Sequence, residues 1–80
     1  MGKSTDLNKA LGIALKSLRQ DRKLTQEQLG FEAGLRRTYI SSLELGEKQA
    51  SLATIQKLAA AFYLPMARLI QMVEINHLIF

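Results

Sequence analysis

Apolar side chains recur at every third or fourth position along nearly the whole of this 80-residue sequence. This spacing gathers them on one face of an α-helix, whereas a half-buried strand would need polar and apolar residues to alternate. No window alternates for long enough to require a strand. The sequence therefore predicts an all-α fold, and its length suits one domain spanning residues 1–80.

Residues that cap helix ends predict where the first two helices begin. Thr5 or Asp6 can cap the first helix, which should run to about Arg22. Thr25 and Gln28 have the spacing of a capping box, in which each side chain binds a backbone N–H of the other residue. This pair predicts the start of a short second helix.

Residues 26–45 have the pattern of two short helices joined by a tight turn. Gly30 would let the two helices approach closely, and Gly34 would permit a turn between helices that cross near a right angle. The second of these helices, the third of the chain, should run from Arg36 to Leu45. Its outward positions are Arg36, Arg37, Thr38, Tyr39, Ser41 and Ser42.

That outward set is polar and contains no carboxylate, which distinguishes it from an ordinary solvated helix face. A surface that meets phosphates and base edges would avoid acidic residues, and the net charge of +4 also suits a nucleic-acid partner. Ser51 can cap a fourth helix, and Pro65 suits the first turn of a fifth.

Composition excludes several other classes of protein. The sequence has no cysteine, so it contains no disulfide, thiolate metal site or cysteine nucleophile. Its single histidine, His77, cannot build a histidine metal cluster, and no catalytic constellation is evident. We expect no cofactor, metal or enzymatic activity. No apolar run approaches the roughly 20 residues that span a bilayer, so we expect a soluble, cytoplasmic protein.

Several segments in order resemble the lambda-repressor-like (Cro/C1, or XRE) helix-turn-helix family of bacterial and phage regulators. The resemblance covers about residues 11–69. It rests on Leu18-Arg19, Leu24 to Gly30, Ala33-Gly34-Leu35, Tyr39 to Glu44, Leu52 to Ile55 and Leu58-Ala59. The run from Arg37 to Ser41 also resembles controller proteins of restriction–modification systems.

The resemblance implies a five-helix DNA-binding domain whose helices two and three form the helix-turn-helix. Helix three would lie in the major groove of double-stranded DNA. The implied base-reading residues are Arg37, Thr38 and Ser42, and the implied DNA-backbone contacts are Gln26, Arg36, Tyr39, Ser41 and Lys48. Arg19 and Glu44 match the structural ion pair of the family.

Three positions depart from the family pattern. Arg36 stands where a capping Ser, Thr or Asp is usual, and Ala50 stands where Pro is common. Tyr63 stands where the family turns with Gly. Because a tyrosine is strained at positive φ, we expect helix four to end in a different way here.

The C-terminal segment, residues 66–80, is too apolar for a lone surface helix. This excess predicts a homodimer interface, which the family resemblance also implies. The residues predicted to form it are Leu69, Ile70, Val73, Leu78, Ile79 and Phe80. A two-fold dimer would read a near-palindromic operator.

These observations predict a sequence-specific regulator of transcription, encoded by a bacterium or a phage. The alternative is an antitoxin or another protein-interaction module on the same fold. In that case the apolar C-terminal helix would bind a partner protein, such as a toxin. RNA polymerase is a further candidate partner of a DNA-bound regulator.

Overall fold

Five α-helices make up the computed structural model, which describes residues 3–79 and the side chains of residues 6–78. They are α1 (Lys3–Asp21), α2 (Gln26–Ala33), α3 (Arg37–Glu44), α4 (Leu52–Ala61) and α5 (Met66–Ile79). No strand occurs in residues 3–79, so the all-α prediction is confirmed. Helix α1 already begins at Lys3. The predicted caps Thr5 and Asp6 therefore lie inside it, and Asp6 instead faces the positive end of the helix dipole in its first turn.

The starts of α2 and α4 are fixed by side chains that satisfy free backbone N–H groups. At α2, the backbone N–H of Gln28 donates to Thr25 Oγ1 over 3.0 Å, and the backbone N–H of Thr25 donates to Gln28 Oε1 over 2.8 Å. This arrangement confirms the predicted capping box. At α4, the backbone N–H of Thr54 donates to Ser51 Oγ over 3.0 Å, which confirms the predicted cap.

Helices α1 to α4 all end in the same left-handed turn. The residues at positive φ are Lys23, Gly34, Gly46 and Tyr63. After α4, the backbone N–H of Leu64 donates to the carbonyl of Ala59 over 2.8 Å, as in a Schellman motif. The expectation that Tyr63 would change this ending is wrong, because Tyr63 adopts φ 57° and the hydrogen bonds form without glycine.

The five helices surround one apolar core, in which α1 packs against α3 and α5. Its largest fully buried side chains are Phe62, Leu15, Leu29, Ile40, Leu43, Leu58 and Leu69. Helix α2 packs against α3 and α4, and α4 packs against α5. Helix α3 is therefore held from behind by α1 and α2, which leaves its opposite face free.

Helix α5 contributes to this core, and that corrects part of the predicted dimer interface. Leu69 is 0% exposed and Val73 is 8% exposed, so assigning these two residues to an interface is wrong: both fill the interior of a single chain. Ile70 and Leu78 are exposed. The side chain of Ile79 and the whole of Phe80 lie outside the described residues.

No single helix in residues 3–79 is long and apolar enough to cross a membrane; α4 and α5 reach that length and composition only together, as a pair bent by 104°. In the same residues, no group of His, Asp and Glu side chains is placed to hold a metal ion.

We predict that Tyr63→Gly raises the free energy of unfolding by about 0.5–1 kcal/mol. Glycine relieves the left-handed strain, although the gain is reduced because glycine also makes the unfolded chain more flexible. Little contact is lost, since the Tyr63 side chain is 85% exposed. Urea unfolding measures the change. Tyr63→Ala is the control: it keeps the strained Cβ and should show no such gain, so an equal gain for both variants would contradict the account.

Candidate nucleic-acid interface

A nearly buried carboxylate, that of Glu44, joins three helices behind the exposed face of α3. Arg19 of α1 donates to it from Nε over 2.6 Å and from Nη2 over 3.0 Å. Gln26, the first residue of α2, donates from Nε2 to Glu44 Oε1 over 3.1 Å. The side chains of Arg19 and Glu44 are only 12% and 4% exposed. The pair implied by the family resemblance is thus present, and Gln26 extends it to α2.

The guanidinium of Arg19 makes a further contact that fixes the turn before α2. Its Nη1 donates to the carbonyl of Leu24 over 2.8 Å. The hydrogen bonds to Glu44 raise the pKa of Arg19 despite the opposing effect of burial. Because the pKa of Arg19 is higher in the folded chain than in the unfolded chain, the ion pair stabilises the fold fully at any pH below the usual pKa of arginine. This stabilisation is lost only as the pH rises through the higher pKa of the folded state. Arg19 therefore stays charged under all ordinary conditions.

Two glycines allow the backbones around α3 to approach closely. A methyl group at Gly12 of α1 would lie 2.7 Å from the carbonyl oxygen of Leu43, and one at Gly30 of α2 would lie 2.6 Å from the carbonyl oxygen of Leu35. Both distances are shorter than van der Waals contact. Our sequence reasoning identified Gly30 and missed Gly12, although a glycine inside an apolar helical pattern is itself a signal of close packing.

The exposed face of α3 carries short polar side chains. Thr38 is exposed, while Ser41 and Ser42 are half-buried. Ile40 and Leu43 point into the core from the opposite side. The one carboxylate of α3, that of Glu44, is turned inward to Arg19. No free negative charge from α3 is therefore left on this face.

Basic side chains border this face where α3 begins. Arg36 occupies the N-cap position of α3, makes no side-chain cap and is exposed, as its poor capping chemistry predicted. Arg37 is also exposed and lines an open depression together with Thr25 and Gln26 at the start of α2. Arg19 and Glu27 complete the lining. The depression combines guanidinium and amide donors with the Glu27 carboxylate at the positive end of a helix dipole.

The remaining predicted backbone-contact residues lie beside α4. The Tyr39 hydroxyl lies 3.4 Å from Thr54 Oγ1, and Ser51 Oγ donates to Thr54 Oγ1 over 3.0 Å. Tyr39 is thus half-buried against the first turn of α4 instead of projecting freely. Lys48 is exposed in the connection between α3 and α4. Our sequence reasoning did not identify Thr54, which is buried and lies within hydrogen-bonding distance of the Tyr39 hydroxyl.

Comparison with known proteins matches this geometry. A family model described as helix-turn-helix covers residues 15–69. The chain belongs to this helix-turn-helix family. It is 33% identical to control protein C.MunI of a Mycoplasma species over 70 residues. This match covers 86% of this chain and 95% of that protein. It is also 33% identical to the immunity repressor protein of Bacillus phage phi105 over 60 residues. This match covers 75% of this chain but only 42% of the longer repressor.

Solved structures agree with this assignment. The restriction–modification controller protein C.AhdI from Aeromonas hydrophila is 37% identical, with a TM-score of 0.75 over 78% of this chain and 94% of that one. Controller protein C.Esp1396I, solved as a tetramer with its natural 35-base-pair operator, shares the fold. It is 22% identical, with a TM-score of 0.81 over 90% of this chain and 95% of that one. The chain is thus a helix-turn-helix regulator that resembles restriction–modification controller proteins, as the sequence predicted.

We predict that Arg19→Ala lowers the free energy of unfolding by about 3–5 kcal/mol, because it leaves the Glu44 carboxylate buried without its partner. Thermal and urea unfolding measure the loss. Lys16→Ala removes one positive charge from an exposed position of the same helix and should change stability by less than about 0.5 kcal/mol. An unchanged melting temperature for Arg19→Ala would refute the structural role of the pair.

Proposed function

We propose that this chain is a homodimeric, sequence-specific regulator of transcription that binds a near-palindromic operator in double-stranded DNA. The observation that carries the proposal is the face of α3: it is exposed, polar and free of negative charge, because the Glu44 carboxylate is turned inward to Arg19. Phosphates and base edges can approach such a face without repulsion. Membership of the helix-turn-helix family supports the same function.

In this proposal, Arg37, Thr38 and Ser42 read bases in the major groove. An arginine can donate two hydrogen bonds to O6 and N7 of guanine, a pairing that contributes roughly 1–3 kcal/mol of discrimination. The Thr38 and Ser42 hydroxyls can donate to or accept from base edges. Thr38 and Ser42 lie one turn apart on α3, so they would meet neighbouring base pairs.

Contacts to the DNA backbone would hold α3 in the groove. We assign them to Gln26, Arg36, Tyr39, Ser41 and Lys48. The amide of Gln26 uses one N–H on Glu44, which leaves its second N–H for a phosphate at the start of α2. A phosphate bound there would sit next to the residue that braces α3. Such contacts set position and affinity without reading sequence.

The dimer would form through the exposed side of α5. Its exposed apolar residues, among those the structure describes, are Ile70, Ile75 and Leu78, and Leu78 is 77% exposed. Ile79 and Phe80 extend the same segment in sequence. Two-fold pairing would place the two α3 helices about 34 Å apart, one turn of DNA. The assembly of C.Esp1396I on its operator, in a shared fold, supports this arrangement.

The similarity to control proteins supports a target among the promoters of restriction–modification genes. The action would take place in the cytoplasm of a bacterium, where such promoters are transcribed. Binding requires neither a cofactor nor a chemical step, so control would come from the amount of the protein itself.

Selection of duplexes from a random DNA pool tests the proposed function. We expect the wild type to recover a palindromic sequence and Arg37→Ala to lose selectivity at one position of each half-site, with a roughly tenfold or larger loss for the best sequence. Lys57→Ala removes one positive charge from an exposed position of α4, outside the proposed DNA contacts and the proposed dimer interface, and should recover the wild-type sequence. Absence of binding even at low salt would overturn the proposal and favour a protein-interaction module.

A substitution on α5 tests the dimer separately. We expect Leu78→Glu to weaken self-association at least tenfold in sedimentation equilibrium, because it places two carboxylates in one apolar interface. Gln56→Glu adds the same charge at an exposed position of α4 and should leave the association unchanged. A wild type that sediments as one chain at tens of micromolar would contradict the proposed interface.

A further inference from the structure

One leucine is exposed at the end of α3 and takes no part in the core. Leu45 follows Glu44 directly and is 62% exposed. It belongs neither to the buried cluster nor to the partly buried apolar residues packed against it. A single exposed leucine is ordinary on a protein surface. Its position relative to the proposed base-reading residues gives this one a specific chemistry.

Leu45 shares the outward face of α3 with Thr38 and Ser42. At about 100° per residue, these three side chains fall within an arc of about 60°. The seven-residue separation of Thr38 and Leu45 corresponds to about 10 Å along the helix, or roughly three base-pair steps of DNA. A groove that meets Thr38 and Ser42 would therefore also meet Leu45.

The backbone at Leu45 is held in one conformation. Its N–H donates to the carbonyl of Ser41 over 3.0 Å, and Gly46 ends the helix with φ 75°. On its other side, the Glu44 side chain is bonded to Arg19. Binding in the groove would therefore cost little conformational entropy at Leu45, because no loop has to become ordered first.

We infer that Leu45 reads the C5-methyl group of a thymine in each half-site, and this inference rests on the proposed function. Thymine is the only DNA base that exposes a methyl group in the major groove. Leu45 is the one apolar side chain among the three on this face, so it has no hydrogen bond to offer another base. Contact with the methyl group would remove apolar surface of both partners from water.

Uracil tests the inference, because replacing thymine with uracil removes the methyl group and leaves base pairing intact. Each thymine of one half-site of the selected operator is replaced in turn, and binding is measured for the wild type and Leu45→Ala. We expect one position at which uracil weakens wild-type binding about fourfold, the effect of one buried methyl group, and leaves Leu45→Ala binding unchanged.

Two variants serve as controls. Leu52→Ala truncates another exposed leucine, at the start of α4, and should keep the full sensitivity to uracil. Thr38→Ser removes the other methyl group on this face, so it should keep the sensitivity at the position assigned to Leu45. The melting temperature of Leu45→Ala should stay near the wild-type value, since the side chain is outside the core.

The outcomes separate this inference from the proposed function. If an operator is selected but Leu45→Ala keeps the wild-type sensitivity at every thymine, Leu45 does not read a methyl group and only the inference fails. Equal weakening of Leu45→Ala on all DNA also overturns it, since that pattern indicates a contact to the sugar-phosphate backbone. If the wild type selects no operator, the proposed function fails and the inference fails with it.

Discussion

The carboxylate of Glu44 is the interaction on which the position of α3 depends. It accepts hydrogen bonds from Arg19 of α1 and Gln26 of α2, while the backbone of Glu44 belongs to α3. Burial makes these bonds strong and makes any missing partner costly. The same interaction also sets the electrostatics of the outer surface, because the one negative side chain of α3 is turned away from it. A single buried ion pair thus both braces the helix and leaves its face open to an anionic partner.

Backbone geometry provides the second constraint on α3. The close approaches at Gly12 and Gly30 bring α1 and α2 against it, and left-handed turns at Gly34 and Gly46 lie before and after it. Its outer side chains are therefore carried by a fixed scaffold and not by a mobile loop. Sites on rigid elements hold their geometry more accurately than sites on loops. The close backbone contacts and the fixed turns thus lie directly behind the surface proposed to bind DNA.

Local sequence patterns predicted much of this arrangement. The capping residues Thr25 and Ser51 gave the starts of α2 and α4, since a cap depends on a side chain only a few residues from the group it satisfies. The positive φ of Lys23 and Tyr63 was not predictable in this way, because packing of the whole domain imposes a conformation that the residue itself disfavours. Burial of Leu69 and Val73 was missed for a related reason. The apolar side chains of α5 indicate that they are buried, but only the fold shows whether they are buried in the core of the same chain or against a second chain.

Helix α5 turns two kinds of side chain in different directions. Leu69 and Val73 complete the interior, whereas Ile70 and Leu78 face outward. In the proposed dimer, the outward residues can change without disturbing the inward ones. Related regulators present in one cell could then diverge in their choice of partner while keeping a common fold. Mixed pairs would be avoided by substitutions at a few outward positions of one helix, and each regulator would remain insulated from its paralogues.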